Sequence, residues 1–213
     1  MAPRLAVIVE DERVTLAAPA REPFVERWPQ LNDPALAMAL GAATSALSPS
    51  ARVMPPVTRE HREAVYEAHV AREILAFELW LGDEERCIGE AYLGGISWPR
   101  GGADLTVALY APEYRGRGLG TEGAALLCAY AFDGLGLNRL SARFARENDA
   151  AARAVRRAGT GYGWREVGYE RAAQWAFGRH LDVEVWELLR DEFPPHPATE
   201  ALREPVVTAP AGA

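Results

Sequence analysis

Residues 114–123 read YRGRGLGTEG and separate a stretch with strand periodicity from a stretch with helical periodicity. Before them, Leu105, Val107 and Leu109 recur at the two-residue period of a strand, and Pro112 ends the ladder because it has no N–H group. After them, apolar or small residues recur at the three- and four-residue spacing of a helix face: Leu119, Gly123, Leu126, Leu127 and Tyr130. The order strand, glycine loop, helix predicts an anion-binding loop at a helix N-terminus.

The composition of this glycine loop, residues 114–123, supports that prediction. Glycines at 116, 118 and 120 remove side chains, so backbone N–H groups can approach an anion closely. The first turn of the helix adds unpaired N–H groups and the positive end of the helix dipole. Arg115 and Arg117 add planar donors with a fixed positive charge.

Other kinds of glycine loop fit less well. A Walker loop needs Gly-Lys-Ser or Gly-Lys-Thr, whereas all 23 basic residues of this chain are arginine. A dinucleotide-binding fingerprint belongs in the first strand-helix unit of a sheet, and this loop lies past the middle of the chain. A surface turn in which glycines merely permit positive φ remains an alternative for the loop taken alone.

The segments around the loop carry a resemblance to a known family. Arg115-x-x-Gly118-x-Gly120 matches the loop by which GNAT acetyltransferases hold the pyrophosphate of acetyl-coenzyme A. The run from Ala111 to Asn148 resembles the branch that contains the ribosomal-protein N-terminal acetyltransferases. The matching positions around the loop are Pro112-Glu113, Thr121-Glu122, Tyr130-Ala131-Phe132, Gly136-Leu137-x-Arg139 and Glu147-Asn148.

The resemblance implies a fold, a co-substrate and its contacts. It implies a mixed α+β fold with a mostly antiparallel central sheet and one parallel strand pair that splays apart, with a bulge in the first strand of that pair. Acetyl-coenzyme A would be the co-substrate, with the pantetheine arm on the main chain of that strand and on the asparagine that follows the second. The implied contacts are Val107, Ala108, Leu109, Arg115, Gly116, Arg117, Gly118, Leu119, Gly120, Thr121 and Asn148.

The order of elements read from the residues agrees with an α+β fold. The patterns predict an N-terminal edge hairpin, two helical pieces at 23–28 and 34–40, a loop at 48–56 and a helix at 60–71 whose inner side carries Ala64, Val65, Ala68 and Val70. Strands at 74–81, 87–97 and 104–110 follow, and then the helix after the loop, a strand at 140–144, a helix at 149–158 and a final hairpin. Antiparallel hairpins followed by strand-helix-strand-helix are typical of an α+β sheet, and the strands that flank the helix should be parallel.

The catalytic groups are less clear from the sequence. In the family, a tyrosine seven residues after the asparagine often acts as the acid, but here that position is Val155, and the family serine three residues after the asparagine is Ala151. Candidate proton acceptors are Glu90, within an apolar strand, and Asp104, at the head of the cofactor strand. For each, an ordinary acid on a solvated strand face is the alternative interpretation. No histidine or cysteine spacing predicts a metal site.

These observations predict an acetyl-coenzyme A dependent N-acetyltransferase whose acceptor is a protein N-terminal α-amine or a small amine. A non-catalytic acyl-coenzyme A binding module and a nucleotide-phosphate binder are the alternatives. The net charge of −7 gives no reason to expect nucleic acid, and no run approaches the length of a membrane span, so we expect a cytoplasmic protein. The resemblance implies that a homodimer can form, since dimers are common in that family. Residues 1–192 should form one domain, with a mobile tail at 193–213 because prolines recur there.

Overall fold

A computed structural model describes residues 6–32, 57–82, 86–176 and 179–203 of the 213-residue chain. Eight strands form one sheet in the order β1-β2-β3-β4-β5-β6-β8-β7. Every neighbouring pair is antiparallel except β5 and β6, which are parallel. The strands are β1 (Ala6–Glu10), β2 (Val14–Ala18), β3 (Leu75–Leu81), β4 (Arg86–Ser97), β5 (Gly102–Leu109), β6 (Arg139–Ala145), β7 (Arg165–Ala176) and β8 (Arg179–Leu189). The predicted α+β architecture, mostly antiparallel with one parallel pair, is confirmed.

Helices cover both faces of the sheet. Their bounds are α1 (Arg21–Glu26), α2 (Arg59–Val70), α3 (Leu119–Ala129), α4 (Asp149–Tyr162) and α5 (Glu200–Arg203). A π-turn (Tyr130–Gly134) continues α3, and short 3₁₀ turns precede or follow several elements. No helix in the described ranges is long and apolar enough to cross a membrane.

Two apolar clusters lie on opposite faces of the central strands. On one face, α1 and α2 bury Phe24 and Val65 against Ala76 and Ala108. The other face packs against α3 and its π-turn, with these residues at its centre: Leu79, Leu93, Leu105, Leu126, Leu127 and Phe132. Because side chains of a strand alternate between faces, the same strands supply both clusters.

The face that α2 turns inward differs from the predicted one. Arg62, Val65 and Ala68 are the buried residues of this helix, whereas Ala64 is exposed and Val70 is 60% exposed. The three buried residues follow one another at a spacing of three, so a charged residue occupies a core position. The prediction did not include Arg62 because it considered only apolar side chains for the buried face of α2.

Several predicted boundaries change in instructive ways. Helix α4 extends to Tyr162 instead of ending at 158, which is about one further helical turn. The predicted helix at 34–40 and the loop at 48–56 lie outside the described residues. The β1–β2 hairpin is at the edge of the sheet, as predicted.

The irregularity expected in the first strand of the parallel pair lies in its neighbour. Residues 104–109 of β5 pair in unbroken register with β4, and the register shifts in β4 between Gly94 and Ser97, which faces Gly102. Gly95 in that shift has a positive φ of 55°, which a bulge residue commonly needs. The expected bulge in β5 was therefore wrong in position.

Residues 193–203, the first part of the segment predicted to be a mobile tail, pack against the rest of the fold. We call residues 193–203 the C-terminal strap. The ring of Phe193 lies between Phe132 and Tyr162, and Thr199 is fully buried with its hydroxyl donating to Asp133 at 2.6 Å. Arg203 donates to the same carboxylate at 3.0 Å. Prolines keep the strap irregular up to the short turn at Pro197–Thr199 and the helix α5, but they do not prevent it from packing on α3.

Candidate functional site

The glycine loop has the backbone conformation that its glycines predicted. A 3₁₀ turn (Pro112–Tyr114) leads into it, Gly116 and Gly118 have φ of 74° and 88°, and α3 begins at Leu119. A Cβ on Gly116 would meet no atom within 4 Å, so this glycine is needed for its backbone angle and not for space. The chain can therefore turn sharply from β5 into the helix.

Donors point outward from the start of α3. The N–H groups of Thr121 and Glu122 already bond the Gly118 carbonyl at 2.9 and 3.0 Å. The N–H groups of Leu119 and Gly120 precede the first intrahelical bond and have no acceptor within the helix. A helix start of this kind favours an anion through both its N–H groups and its dipole.

The two loop arginines carry positive charge toward solvent. Arg115 is half-buried and Arg117 is exposed. Neither forms an ion pair with any residue in the described ranges. Both guanidinium groups can therefore turn toward a phosphate without breaking a recorded salt bridge.

The parallel strands separate beside this loop. Register between β5 and β6 covers only residues 102–104 with 139–141, although β5 continues to Leu109 and β6 to Ala145. Among the described residues, β5 has no strand paired to its β6 side beyond Asp104, which leaves a gap between the two strands. The predicted splay is thus present.

The hydrogen-bond pattern indicates which backbone groups face the gap. The N–H of Tyr110 donates to the Ile88 carbonyl of β4 at 2.9 Å. In an antiparallel pair alternate residues bond the same neighbour, so Ala108 also faces β4, and Val107 and Leu109 direct their backbone groups toward the gap. Of the three residues assigned to main-chain cofactor contact, two are placed to pair with an extended ligand.

Leu109 also links the strand to the loop. Its Cδ1 atom is 3.6 Å from where a Cβ of Gly120 would lie, so the first turn of α3 packs on the end of β5. Leu119 is buried on the same side of the sheet. The N-terminus of α3 and the open edge of β5 are therefore adjacent parts of one site.

Asn148 borders the gap from the other side. Its Oδ1 accepts from the Ala151 N–H at 3.1 Å, which makes it the N-cap of α4, shortly after the end of β6 at Ala145. The cap uses the carbonyl oxygen and leaves the side-chain NH₂ as a donor. Structural capping and ligand binding are compatible at this residue.

Asp104 lies where the two parallel strands part. It is the last β5 residue in register with β6, opposite Ser141, and Arg143 of β6 donates to its Oδ1 at 2.5 Å. Its side chain is 47% exposed. Partial burial raises the pKa of Asp104, and the charge of Arg143 opposes that rise without cancelling it.

Glu90 lies in a very different environment. It is fully buried and receives the Arg62 guanidinium, with Nη2 at 2.5 Å and Nη1 at 3.1 Å, and the hydroxyls of Tyr92 and Tyr110 also donate to it. Arg62 is held in turn by the Phe24 carbonyl at 3.0 and 3.2 Å. The Glu90 carboxylate thus accepts hydrogen bonds from four donors and has no contact with solvent.

The two acidic candidates are not brought together. Glu90 is directly opposite Ala108, four residues along β5 from Asp104. At about 3.4 Å per residue this places the two positions roughly 14 Å apart on one face of the sheet. A shared proton relay between them would need further groups.

A second buried ion pair lies beside Glu90 and was not foreseen. Glu78 of β3 is directly opposite Glu90 and is buried, and it accepts from Arg27 and from the Trp80 indole at 3.0 Å. Two carboxylates on neighbouring strands repel one another unless each has its own cation. The sequence feature that could have predicted these buried ion pairs is the position of Glu78 and Glu90 within apolar strands.

The usual tyrosine position contributes to packing. Val155 is partly buried against the apolar cluster beneath α3 and α4, and so is Ala151. Tyr110, at the end of β5, is a phenol that sequence reasoning did not single out. Burial and then the charge of Glu90 raise its pKa well above the ordinary value, which makes it a poor proton donor at neutral pH.

A brace for the glycine loop comes from the β1–β2 turn. Arg13 donates from Nη2 to the Arg117 carbonyl at 2.9 Å and from Nη1 to Glu122 at 2.6 Å. Its sequence position, more than one hundred residues before the loop, gives no sign of this contact.

Comparison with known proteins identifies this arrangement. Residues 13–160 match the family model described as an acetyltransferase (GNAT) domain. No curated protein sequence matches the chain. A crystal structure of a probable acetyltransferase is similar at 20% identity, with a TM-score of 0.69 over 86% of this chain and 96% of the other.

Two further solved structures are spermidine N-acetyltransferases from Vibrio cholerae. One, in complex with CoA and spermine, is 20% identical with a TM-score of 0.69 over 85% of this chain and 98% of the other. The second, a dodecameric structure in an intermediate state, is 19% identical with a TM-score of 0.65 over 85% and 96%. At these identities the likeness concerns the fold.

Proposed function

The chain belongs to the GNAT acetyltransferase family, and we propose that it transfers the acetyl group of acetyl-coenzyme A to a primary amine of a small molecule. The observation that carries the proposal is the open β5 edge directly beside the N-terminus of α3. An extended arm with amide groups suits the edge, and a pyrophosphate suits the helix start. One elongated ligand can occupy both.

The proposed cofactor contacts follow from that placement. The pyrophosphate would accept from the N–H groups of residues 118–120 and from Arg115 and Arg117, with the Thr121 hydroxyl nearby. The pantetheine arm would pair with the backbone of Val107 and Leu109 and with the Asn148 amide. These residues are on three different elements, so correct folding is what assembles the site.

The reaction requires a neutral amine next to the thioester. The amine nitrogen forms a bond to the acetyl carbon, the carbon–sulfur bond breaks, and the proton lost by the nitrogen balances the thiolate that leaves as a thiol. An acceptor that arrives as an ammonium ion must first lose one proton. Binding both molecules in one groove supplies much of the rate by proximity.

We assign the first proton transfer to Asp104 in preference to Glu90. Asp104 is half exposed, lies where the strands part, and has a raised pKa, all of which suit a group that accepts a proton from an arriving ammonium. Glu90 has four donors and no solvent contact. Its proposed role is to hold α2 and the ends of β4 and β5 in place.

Two kinds of amine are candidate acceptors. The Vibrio cholerae proteins are named for spermidine, and the acidic net charge of this chain favours a cationic small molecule. The sequence resemblance to the ribosomal-protein branch instead favours a protein N-terminal α-amine. We propose the small amine as the first choice and the N-terminus as the second.

A thiol-release assay with acetyl-coenzyme A tests both the activity and the acceptor. The panel contains di- and polyamines, aminoglycosides and short peptides with free N-termini. We expect saturable thiol release with at least one class, and an Asp104→Asn variant with kcat/KM lower by about 10²-fold and a weaker dependence on pH. Glu67→Gln, an exposed acid to amide change on α2, is the matched control and should behave as the wild type.

Two results would overturn the proposal in different ways. Cofactor binding by calorimetry with no thiol release over the whole panel would support a non-catalytic acyl-coenzyme A binding module. Competition by adenosine diphosphate as strong as that by the complete cofactor would support a nucleotide-phosphate binder. An unchanged Asp104→Asn variant would remove only the assignment of the proton acceptor.

We further propose a cytoplasmic enzyme that can form a homodimer. Cys87 and Cys128 are free thiols, which fits a reducing compartment. Burial raises the pKa of Cys87 to about 12, so this thiol is unreactive at neutral pH. The dodecameric neighbour is the reason to measure assembly, for which light scattering of the purified chain suffices.

A further inference from the structure

Arg13 occupies a fixed position next to the glycine loop. Its own carbonyl accepts from the Gly82 N–H at 3.2 Å, and the next residue, Val14, is fully buried at the start of β2. The backbone of Arg13 is therefore anchored to the sheet. Its side chain reaches from the β1–β2 turn to both sides of Gly118, with donations to the Arg117 carbonyl and the Glu122 carboxylate.

The bond to the Arg117 carbonyl determines the direction of the next N–H. The protein has no cis peptide bond in its described ranges, and in a trans peptide the C=O and the following N–H point in opposite directions. Arg13 draws the Arg117 oxygen toward the β1–β2 turn, so the Gly118 N–H points away from that turn. The positive φ of 88° at Gly118 then leads directly into the first turn of α3.

The bond to Glu122 removes a charge problem. Glu122 is in the first turn of α3, where its carboxylate interacts well with the helix dipole but would repel a nearby phosphate. Its Oε1 is 3.6 Å from where a Cβ of Gly118 would lie, so the carboxylate is close to the loop. The guanidinium at 2.6 Å offsets that negative charge.

We infer that Arg13 is a positioning residue for the pyrophosphate half of acetyl-coenzyme A, acting through the Arg117–Gly118 peptide and through Glu122. The inference rests on the proposed use of the loop for the pyrophosphate. It assigns to the β1–β2 turn a part in cofactor affinity, although the turn need not touch the cofactor. The acetyl group and the acceptor lie near the strand gap, so their binding should not depend on Arg13.

The test compares a ligand that has the pyrophosphate with one that lacks it. Calorimetry measures the affinities of coenzyme A and acetyl-pantetheine for the wild type, Arg13→Ala and Arg13→Lys. We expect Arg13→Ala to weaken coenzyme A binding by about 10- to 100-fold, since it removes two hydrogen bonds that involve a charged group, and to leave acetyl-pantetheine binding within about 2-fold. Arg13→Lys should be intermediate, because an ammonium cannot bridge both acceptors with the same geometry.

Kinetics and a double variant separate positioning from a general loss of structure. The KM for acetyl-coenzyme A should rise in Arg13→Ala while kcat at saturation stays within about 2-fold of the wild type. Arg13→Ala/Glu122→Gln should bind coenzyme A more tightly than Arg13→Ala, because the uncompensated carboxylate is gone. Arg21→Ala removes another exposed arginine from a surface ion pair, with Glu67, and is the matched control that should bind as the wild type does.

The outcomes distinguish this inference from the cofactor assignment. A wild type that does not bind coenzyme A would contradict the use of the loop itself. A wild type that binds, together with an Arg13→Ala variant that binds equally well or loses both ligands in the same proportion, would overturn the role of Arg13. If Arg13→Ala does not fold, Arg13→Lys must still lose more affinity for coenzyme A than for acetyl-pantetheine.

Discussion

The face of the sheet under α1 and α2 and the face under α3 are built from different chemistry. Beneath α3 the buried side chains of the central strands are apolar, as at Leu79 and Leu93. Beneath α1 and α2 the same strands place Glu78 and Glu90 in the interior, each paired with an arginine from the helical layer. One strand pair therefore contributes leucines to one face and carboxylates to the other.

The difference follows the two halves of the proposed reaction. Under that proposal backbone groups would hold most of the cofactor, so the face under α3 would need only to fix α3 and the glycine loop, and apolar packing is sufficient for that. The other face carries Asp104 and Arg143, which are partly exposed where the strands part and where we propose that the acceptor binds. Buried ion pairs there hold α1 and α2 at a defined position through directional bonds.

The largest expected effect comes from breaking the buried pair under α2. Arg62→Met leaves Glu90 charged and buried with only phenol donors, and we expect a loss of about 3–5 kcal/mol in the free energy of unfolding. Glu90→Leu should cost a similar amount, because it leaves the guanidinium without its partner. Urea unfolding followed by circular dichroism measures both.

The double variant shows whether the pair is the cause. Arg62→Met/Glu90→Leu should lose about 1–3 kcal/mol less than the sum of the single losses, since neither charge is then left alone. Leu126→Ala on the α3 face should cost about 2–5 kcal/mol through a cavity. When Leu126→Ala is combined with Arg62→Met, the loss in the free energy of unfolding should equal the sum of the two single losses, because the two sites share no partner. Strict additivity of Arg62→Met and Glu90→Leu would contradict a distinction between the faces.

The next effect concerns the C-terminal strap, which covers α3. Ending the chain after Glu192 removes the ring of Phe193 from its place between Phe132 and Tyr162 and exposes Asp133, which Thr199 and Arg203 bind. We expect the melting temperature to fall by roughly 5–10 °C. A chain that ends after Arg203 keeps every contact within the described residues of the strap and is the matched control. Equal melting temperatures for the two truncated chains would show that the strap does not stabilise α3.

The sequence predicted the α3 side better than the α2 side for a physical reason. Positive φ at Gly116 and Gly118 is a local requirement that only glycine meets without strain. The loop can therefore be predicted from its own short sequence. The burial of Arg62 depends on the Glu90 carboxylate, 28 positions away in the sequence. The spacing of apolar residues along a helix cannot predict such a distant ion pair. The packing of the strap was not predicted for the same reason. Its prolines are visible in the local sequence, but Asp133, to which Thr199 donates, is 66 positions away.

The smallest effect uses pH to compare the two faces. His196 in the strap accepts the Ala198 N–H on Nδ1 at 3.3 Å, with Asp11 at 3.8 Å from Nε2. Burial lowers its pKa; the charges of Asp11 and Asp133 oppose this, whereas that of Arg203 adds to it. Burial also lowers the pKa of His69 on α2, where Nδ1 accepts the Ala76 N–H at 3.1 Å.

Each histidine should therefore make the protein less stable in mild acid. Above the ordinary pKa of 6.5 both the folded and unfolded states are neutral at these side chains, and their contribution is fully present. Below it the unfolded state binds a proton first, so stability falls until the lowered folded-state pKa is reached. We expect the melting temperature to drop between pH 7.5 and 5.5, and His196→Asn, whose Oδ1 can replace Nδ1 as acceptor, to drop less. His69→Asn should also reduce this decrease in melting temperature. The reductions from His69→Asn and His196→Asn should be additive, because the two histidines lie on different faces of the sheet. An undiminished drop in His196→Asn would mean that the strap does not respond to pH.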